Sequence, residues 1–287
     1  MTTTAIPNAG RAAPLRWQRL ANRALHYLVL IAIGLITVYP FWWTLVTALS
    51  TDGDVFTFPP AMLPTAPGFG NFHEALTSID ILAFYRNSIA ITVFSVIGTL
   101  LVSALAAYPL ARMRFPGSKL VFGAILATMI LPSEVNFLVN FITVSKLHLT
   151  DSYSGVVLPT LAGAVGIFLM KQAFEAVPQD LIDAARVDGA NEWQIFWKIM
   201  LPLTRPALAA LTILTTVSAW NQYIWPSIVM SSPDKFPLSV GVLYLAGAFT
   251  FKTRVVAAGA VLTVLPILIV FLFTQRYFLR GFDGAVK

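Results

Sequence analysis

The chain has 287 residues, 57% of them hydrophobic and only 11% charged, with a net charge of +6 and no cysteine. Soluble proteins carry about 25% charged residues, so this chain has too little charge to cover a water-soluble globule, and the same deficit excludes disorder. Without cysteine there is no disulfide framework, Cys-ligated zinc, iron–sulfur cluster or thiol catalysis. The composition is that of an integral membrane protein.

Residues 1–24 form a polar, basic tail carrying Arg11, Arg16, Arg19 and Arg23. A spanning helix needs about 20 mostly apolar residues, and the first charge-free window, 24–51, holds one at 25–49. It exceeds the roughly 7–15 residues of a signal-peptide core and reads as an uncleaved anchor. Tyr39, Phe41, Trp42 and Trp43 near its outer end suit an interfacial belt or helix packing. An extracytoplasmic loop, 50–86, follows and is rich in Pro and Gly.

The core, 87–278, supplies five more windows: 87–111, 120–145 (interrupted only by Glu134), 152–170, 206–233 and 255–275. Residues 279–287 form a short tail. Six spans are predicted. With the N-terminus inside, fourteen of the 19 Lys and Arg residues fall on inner segments and five on outer ones. The positive-inside rule then puts both termini in the cytoplasm. The net charge has this topological cause and gives no ground for nucleic acid as a partner.

The inner segment 171–206 is too polar to span and too patterned for a linker. Pro178 suits the first turn of a helix, where its missing N–H costs nothing. Asp180 complements the helix dipole, and Gly189 supplies the positive φ of a helix end. Asn191 caps a second helix, with Glu192 in its first turn. There Trp193, Phe196, Trp197 and Met200 fall at i, i+3, i+4 and i+7 as one apolar stripe, and Pro202 is expected to stop the helix. The small side chains of Ala184 and Ala185 permit close approach of another surface. A hairpin that merely packs under the bundle is the competing reading.

Polar residues inside spans are costly against lipid and mark a pathway or inter-helix hydrogen bonds. Such candidates are Glu134, Asn136 and Asn140, the last two sharing a helix face at i, i+4. Asn87 and Ser88 open the second span, and Trp220, Asn221, Gln222 and Tyr223 lie late in the fifth. Amides and aromatic rings suit the hydroxyls and C–H faces of a sugar. No Gly-x-x-x-x-Gly-Lys-Ser/Thr phosphate loop occurs, so nothing here cradles ATP.

Asp183-Ala184-Ala185, then Gly189, then Ile199-x-Leu201-Pro202 resembles the EAA-x3-G-x9-I-x-L-P signature of ABC-importer permeases, with Asp183 in the Glu position. Ala190 after Asp188-Gly189 adds to the match. The stretch Ala219 to Pro226 and the ending Gly281 to Lys287 are similar to the carbohydrate branch, that of the inner maltose-transporter permeases. The resemblance covers about residues 85–287 and implies an all-α, six-span type I importer fold with a cytoplasmic coupling helix.

It further implies a transport subunit, not an enzyme, of a prokaryotic cell membrane, embedded in lipid. Asp183, Ala184, Ala185, Asp188, Gly189 and Ala190 would engage the ATPase. Glu134, Asn136, Asn140, Trp220, Asn221 and Tyr223 would line the path of a mono- or oligosaccharide or a sugar derivative. The partners implied are a homologous second permease, two copies of a cytoplasmic ATPase subunit that bind ATP and magnesium, and an extracytoplasmic sugar-binding protein. No cofactor or metal is implied on this chain. By position, the outer loop from Ser231 to Thr253 matches the loop that enters the binding protein, with Ser231, Ser232, Pro233, Asp234 and Lys235 as its tip. The alternatives are a non-sugar cargo, or an ion-coupled carrier using Glu134.

Overall fold

The computed structural model describes residues 16–78, 80–132, 135–248 and 252–283. The described residues are mostly helical. Helix α1 (Arg16–Leu49) is followed by α2 (Gly70–Ser78), α3 (Ile81–Arg112), α4 (Ser118–Ala127) and α5 (Asn136–Lys146). A short α6 (Tyr153–Val157) leads to α7 (Ala164–Glu175) and α8 (Gln179–Val187). Helix α9 (Glu192–Ile195) continues through a π-turn, Phe196–Met200, into α10 (Leu201–Leu203). The chain ends with α11 (Arg205–Asn221), α12 (Ile224–Val229), α13 (Leu238–Ala248) and α14 (Thr253–Asp283).

Two stretches, Asn22–Leu49 and Ile81–Arg112, are long and apolar enough to cross a bilayer in one piece. Two bent pairs offer further crossings: Tyr153–Thr160 with Ala164–Glu175, at 49°, and Glu192–Leu203 with Arg205–Asn221, at 76°. Ser118–Ile130 and Thr253–Ile269 are apolar but shorter. The window 120–145 is thus not one helix. Its backbone turns extended at Leu131, just before Pro132, whose ring disfavours an α conformation in the preceding residue. Glu134, expected in this window, lies outside the described residues.

Two segments between the expected spans also depart from expectation. Helix α3 begins six residues before the expected span, because Asp80 caps it by accepting from the Ala83 amide at 3.0 Å. The stretch 231–253, expected as a loop, contains α13, which lies against α3 so closely that a Cβ on Gly241 would sit 2.2 Å from the Phe84 ring. The Pro/Gly-rich segment folds back on α1: the Asn71 amide donates to the carbonyls of Ala48 and Ser50, at 2.9 and 2.8 Å.

Helix α3 positions the rest. Its buried polar residues Ser88, Thr92, Ser95, Thr99 and Ser103 recur every three or four positions and so share one face. Small side chains allow close helix approach in a bilayer, and here a Cβ on Gly166 of α7 would come within 2.4 Å of the Ser103 hydroxyl. Towards one end, Tyr108 joins Phe174, Met170, Ile182, Phe196 and Met200 in the largest buried cluster. Nearer the other, Ile91 packs with Val156, Trp225 and Val229.

One glycine tests this packing directly. A Cβ on Gly155 would lie 2.2 Å from the Leu149 carbonyl oxygen, which belongs to backbone and cannot rotate away. Gly155→Ala is expected to cost about 1–3 kcal/mol and to lower the melting temperature in detergent. Gly123→Ala, where nothing lies within 4 Å, should leave it unchanged.

Candidate functional site

The most distinctive surface is the hairpin of α8 and α9. Pro178 is extended (φ −56°, ψ 135°) and stands just outside α8 instead of in its first turn, because the chain is still leaving α7 at that point. The far end of α8 closes as sequence chemistry dictates. Gly189 has φ +83°, its amide donates to the Arg186 carbonyl at 3.0 Å, and the Ala190 amide donates to Ala185 at 2.9 Å. This pair of bonds is a Schellman closure, and the left-handed residue it requires has no Cβ. Asn191 then caps α9 reciprocally: its side chain accepts from the Gln194 amide at 2.9 Å, and Gln194 accepts from the Asn191 amide at 3.0 Å.

The expected aromatic stripe forms, with the Trp193, Phe196 and Trp197 rings 5.2–6.0 Å apart, and it runs from a buried edge to an exposed one. Ile195, Phe196 and Met200 are buried, whereas Trp193 is 62% and Trp197 43% exposed. Ile195, Phe196 and Met200 all belong to the buried cluster on the inner face, and Phe196–Met200 is wound as a π-turn. Nor does Pro202 end the helix, which passes through it to Leu203 and turns at Thr204 (φ −98°, ψ 18°). The two alanines of the signature face opposite ways. Ala184 is exposed with Leu181, Asp183, Val187 and Asp188, while Ala185 and Ala190 lean on the cluster around Ile182. Val187, at 88% exposure, is the most open of these apolar side chains.

Polar bonds tie the hairpin to α3. The Tyr108 hydroxyl donates to Glu192 Oε2 at 2.5 Å, and its ring stands edge-on to Phe174 and Phe196. Glu192 Oε1 accepts from Arg186 Nε and Nη2 at 2.9 and 2.8 Å, and Arg186 Nη1 lies 3.3 Å from Asp183 Oδ1. The Tyr108 hydroxyl, and after it Arg186, holds the Glu192 carboxyl below the usual carboxylate range. Arg112 Nη1 donates to Gln179 Oε1 at 2.9 Å, and Nη2 bonds the carbonyls of Phe174 and Val177. In the sequence Tyr108 carries no signal, and Arg112 shows only as a topological charge.

The pathway candidates are divided. Asn136 and Asn140 lie on α5, exposed and half-buried respectively. Phe137 stacks on Trp225 at 6.0 Å, bringing α5 alongside α12. Asn221 and Tyr223 are exposed at the break between α11 and α12. Trp220 turns the other way: it is buried and its indole N–H donates to the Thr263 carbonyl at 3.3 Å. Asn87 and Ser88 are also buried. Asn87 donates to the carbonyls of Asp234 and Phe236 and accepts from the Tyr153 hydroxyl, while Ser88 accepts from the Leu238 amide.

Residues 231–235 form an anchored turn in which Ser231, Pro233 and Asp234 remain exposed. Asp151 accepts from the amides of Ser231 and Ser232, from the Ser232 hydroxyl and from Lys235 Nζ, all within 3.0 Å. Pro233 begins the short 3-10 turn that carries Asp234 and Lys235. Lys235 foremost, then Ser232, holds the Asp151 carboxyl far below its ordinary value. The stabilisation is therefore complete above the ordinary Asp pKa of about 4 and is lost only as pH falls below it. Asp151→Asn should lower the melting temperature throughout pH 6–8, and the gap from the parent should narrow only below about pH 4.

Residues 99–283 match the family described as binding-protein-dependent transport system inner membrane component. The chain is 36% identical over 243 residues to the arabinooligosaccharides transport system permease protein AraQ of Halalkalibacterium halodurans, covering 84% of this chain and 86% of that one. It is 34% identical over 271 residues to the sn-glycerol-3-phosphate transport system permease protein UgpE of Yersinia pestis, covering 91% and 96%. Among solved structures, a chain of a bacterial ABC transporter that imports the acidic polysaccharide alginate superposes with a TM-score of 0.79 at 29% identity, covering 93% of this chain and 99% of that one.

Proposed function

The chain belongs to the binding-protein-dependent transport system inner membrane component family, and on that premise we propose that it forms half of the translocation path of an ATP-driven importer for a sugar or oligosaccharide. As a family member it is the non-catalytic membrane component of its transporter. The α8–α9 hairpin is the coupling element that docks on a cytoplasmic ATPase subunit, which holds ATP and magnesium. A second permease, a second ATPase copy and an extracytoplasmic binding protein complete the assembly. The chain crosses the membrane six times with both termini inside, and it falls in the branch of the inner maltose-transporter permeases.

The observation that carries this reading is the hairpin's exposed face. Leu181, Ala184 and Val187 are turned outward by a helix whose inner face is anchored through Ile182 and whose end is fixed by the Gly189 closure. A short, apolar, well-braced helix end with a small residue at its centre suits insertion into a cleft. It does not suit a hairpin that only packs under the bundle. The family match leaves no role for an ion-coupled carrier built on Glu134.

A phosphate-ester cargo is the second reading, favoured by the likeness to the sn-glycerol-3-phosphate permease. A phosphate group is best held by Arg and Lys forks or helix N-termini, whereas Asn136, Asn140, Asn221 and Tyr223 are neutral and Glu134 is acidic. These side chains suit neutral hydroxyls better. Purified in mild detergent from its native cell, the chain should bring down an ATPase subunit and a second permease, identified by mass spectrometry. In proteoliposomes with the binding protein, a neutral oligosaccharide should stimulate ATP hydrolysis more than glycerol phosphate does; the reverse order would favour the ester.

Gly189→Pro tests the hairpin. Proline removes the amide that bonds Arg186 and forces φ to about −65° in place of +83°. Uptake should be abolished while membrane insertion is kept; normal uptake would refute the docking role.

A further inference from the structure

The hydrogen bonds around the hairpin close into a ring. From Tyr108 on α3 the links run to Glu192 at the start of α9, to Arg186 and Asp183 on α8, to Gln179 in the first turn of α8, and back to Arg112 on α3. Tyr108 and Arg112 are four residues apart, so the ring begins and ends on one turn of one helix. The Arg112 guanidinium also bonds the carbonyls of Phe174 and Val177, clamping the end of α7 to the same turn.

Chain continuity offers the hairpin no comparable lever. On one side it leaves α7 through the extended Pro178, and on the other it meets α11 at a 76° bend about Thr204. Helix α3, by contrast, is continuous for 32 residues. Its opposite end is tied to another segment: Asn87 holds the carbonyls of Asp234 and Phe236, and Ser88 holds the Leu238 amide.

We infer that the ring of Tyr108, Glu192, Arg186, Asp183, Gln179 and Arg112 makes the hairpin and α3 one rigid lever, so that hairpin movement is delivered through α3 to the 231–238 segment. Tyr108, Arg112, Gln179 and Glu192 are positioning residues for energy coupling, and none of them needs to touch cargo or ATPase. All six members take part in charge-assisted hydrogen bonds, and a closed network resists shear better than its separate bonds would. Spatial connection alone does not establish coupling, so the test must measure coupling itself. The inference rests on the docking role proposed for the hairpin.

The test uses the assembled transporter, co-purified with its ATPase and second permease and reconstituted with its binding protein. Three variants cut the ring at different links: Tyr108→Phe, Glu192→Gln and Gln179→Met, the last at an exposed position that cannot unfold the core. The readout is cargo imported per ATP hydrolysed. Because the chain has no cysteine, Asp180→Cys, at an exposed position beside the docking face, carries a maleimide photocrosslinker that reports hairpin docking in parallel.

Each variant is expected to keep the cross-link to the ATPase and to lower the import ratio by about five-fold or more. Tyr108→Phe combined with Glu192→Gln should be no worse than the poorer single variant, since both open the same ring. Ratios within two-fold of the parent for Tyr108→Phe and Gln179→Met would overturn the lever, as would multiplicative losses in the double variant. Loss of the cross-link in all three variants would also overturn it, since the ring would then serve docking. If the parent itself gives no cross-link to the ATPase, the docking role fails first and the lever with it.

Discussion

Backbone polar groups in a bilayer have to be satisfied within the segment that carries them, and of the two helices long and apolar enough to do so in one piece, α3 is the one that joins most of the buried clusters. Helix α3 runs unbroken from Ile81 to Arg112, with Pro109 only in its last turn. Three of the four buried clusters among the described residues draw on it: Ile81 and Phe84 in one, Ile91 in another, and Ala104, Ala107 and Tyr108 in the largest. The other two long helices, α1 and α14, pack on each other, and the remaining elements are short or broken. Helices α5, α6, α12 and α13 are too brief to hold a position alone, and each gains one by resting on α3 or on a neighbour that does. A kink in the middle of α3 would therefore disturb every cluster it joins, whereas a kink in α5 would remain local.

Polar side chains within this framework select geometry more than they add stability. Inter-helix hydrogen bonds in membranes are worth about 0.6 kcal/mol each on average, so no single bond of Asn87 holds the fold together. Its three bonds nevertheless allow only one placement of the 234–238 backbone and of Tyr153 relative to α3. Asp151 does the same for Ser231, Ser232 and Lys235. The segment is thus gripped by helix α3 and by the loop that carries Asp151, and its rigidity is a property of both together.

What the sequence makes legible follows from the range of the forces involved. Composition suffices for a membrane protein, because charge deficit is a bulk property. The Gly189 turn and the Asn191 cap are local chemistry, readable within four residues. The fate of Ser231–Lys235 is not, since the carboxylate that pins it lies some eighty residues earlier and is an unremarkable Asp by local context. Trp220 and Asn221 adjoin in sequence but face different neighbours, because only the packing of α14 decides which one turns inward. The aromatic stripe of α9 is legible from local spacing, since the Trp193, Phe196 and Trp197 rings meet one another, but which of them is buried depends on the distant residues of the cluster that covers Phe196.

The aspartate that replaces glutamate in the signature acquires a meaning from this geometry. Asp183 is already engaged within its own chain, by the Gln179 amide at 3.0 Å and by Arg186 at 3.3 Å, while its side chain stays more than half exposed. A carboxylate one methylene shorter stays close to its helix and favours these local partners over distant ones. On the proposed reading, contact with the ATPase then falls chiefly to Leu181, Ala184 and Val187, whose burial is non-directional and only weakly sensitive to salt. Exposed ion pairs contribute little and weaken as ionic strength rises. A docking face built this way keeps its grip across salt conditions and leaves the charges of the hairpin free to brace it against α3.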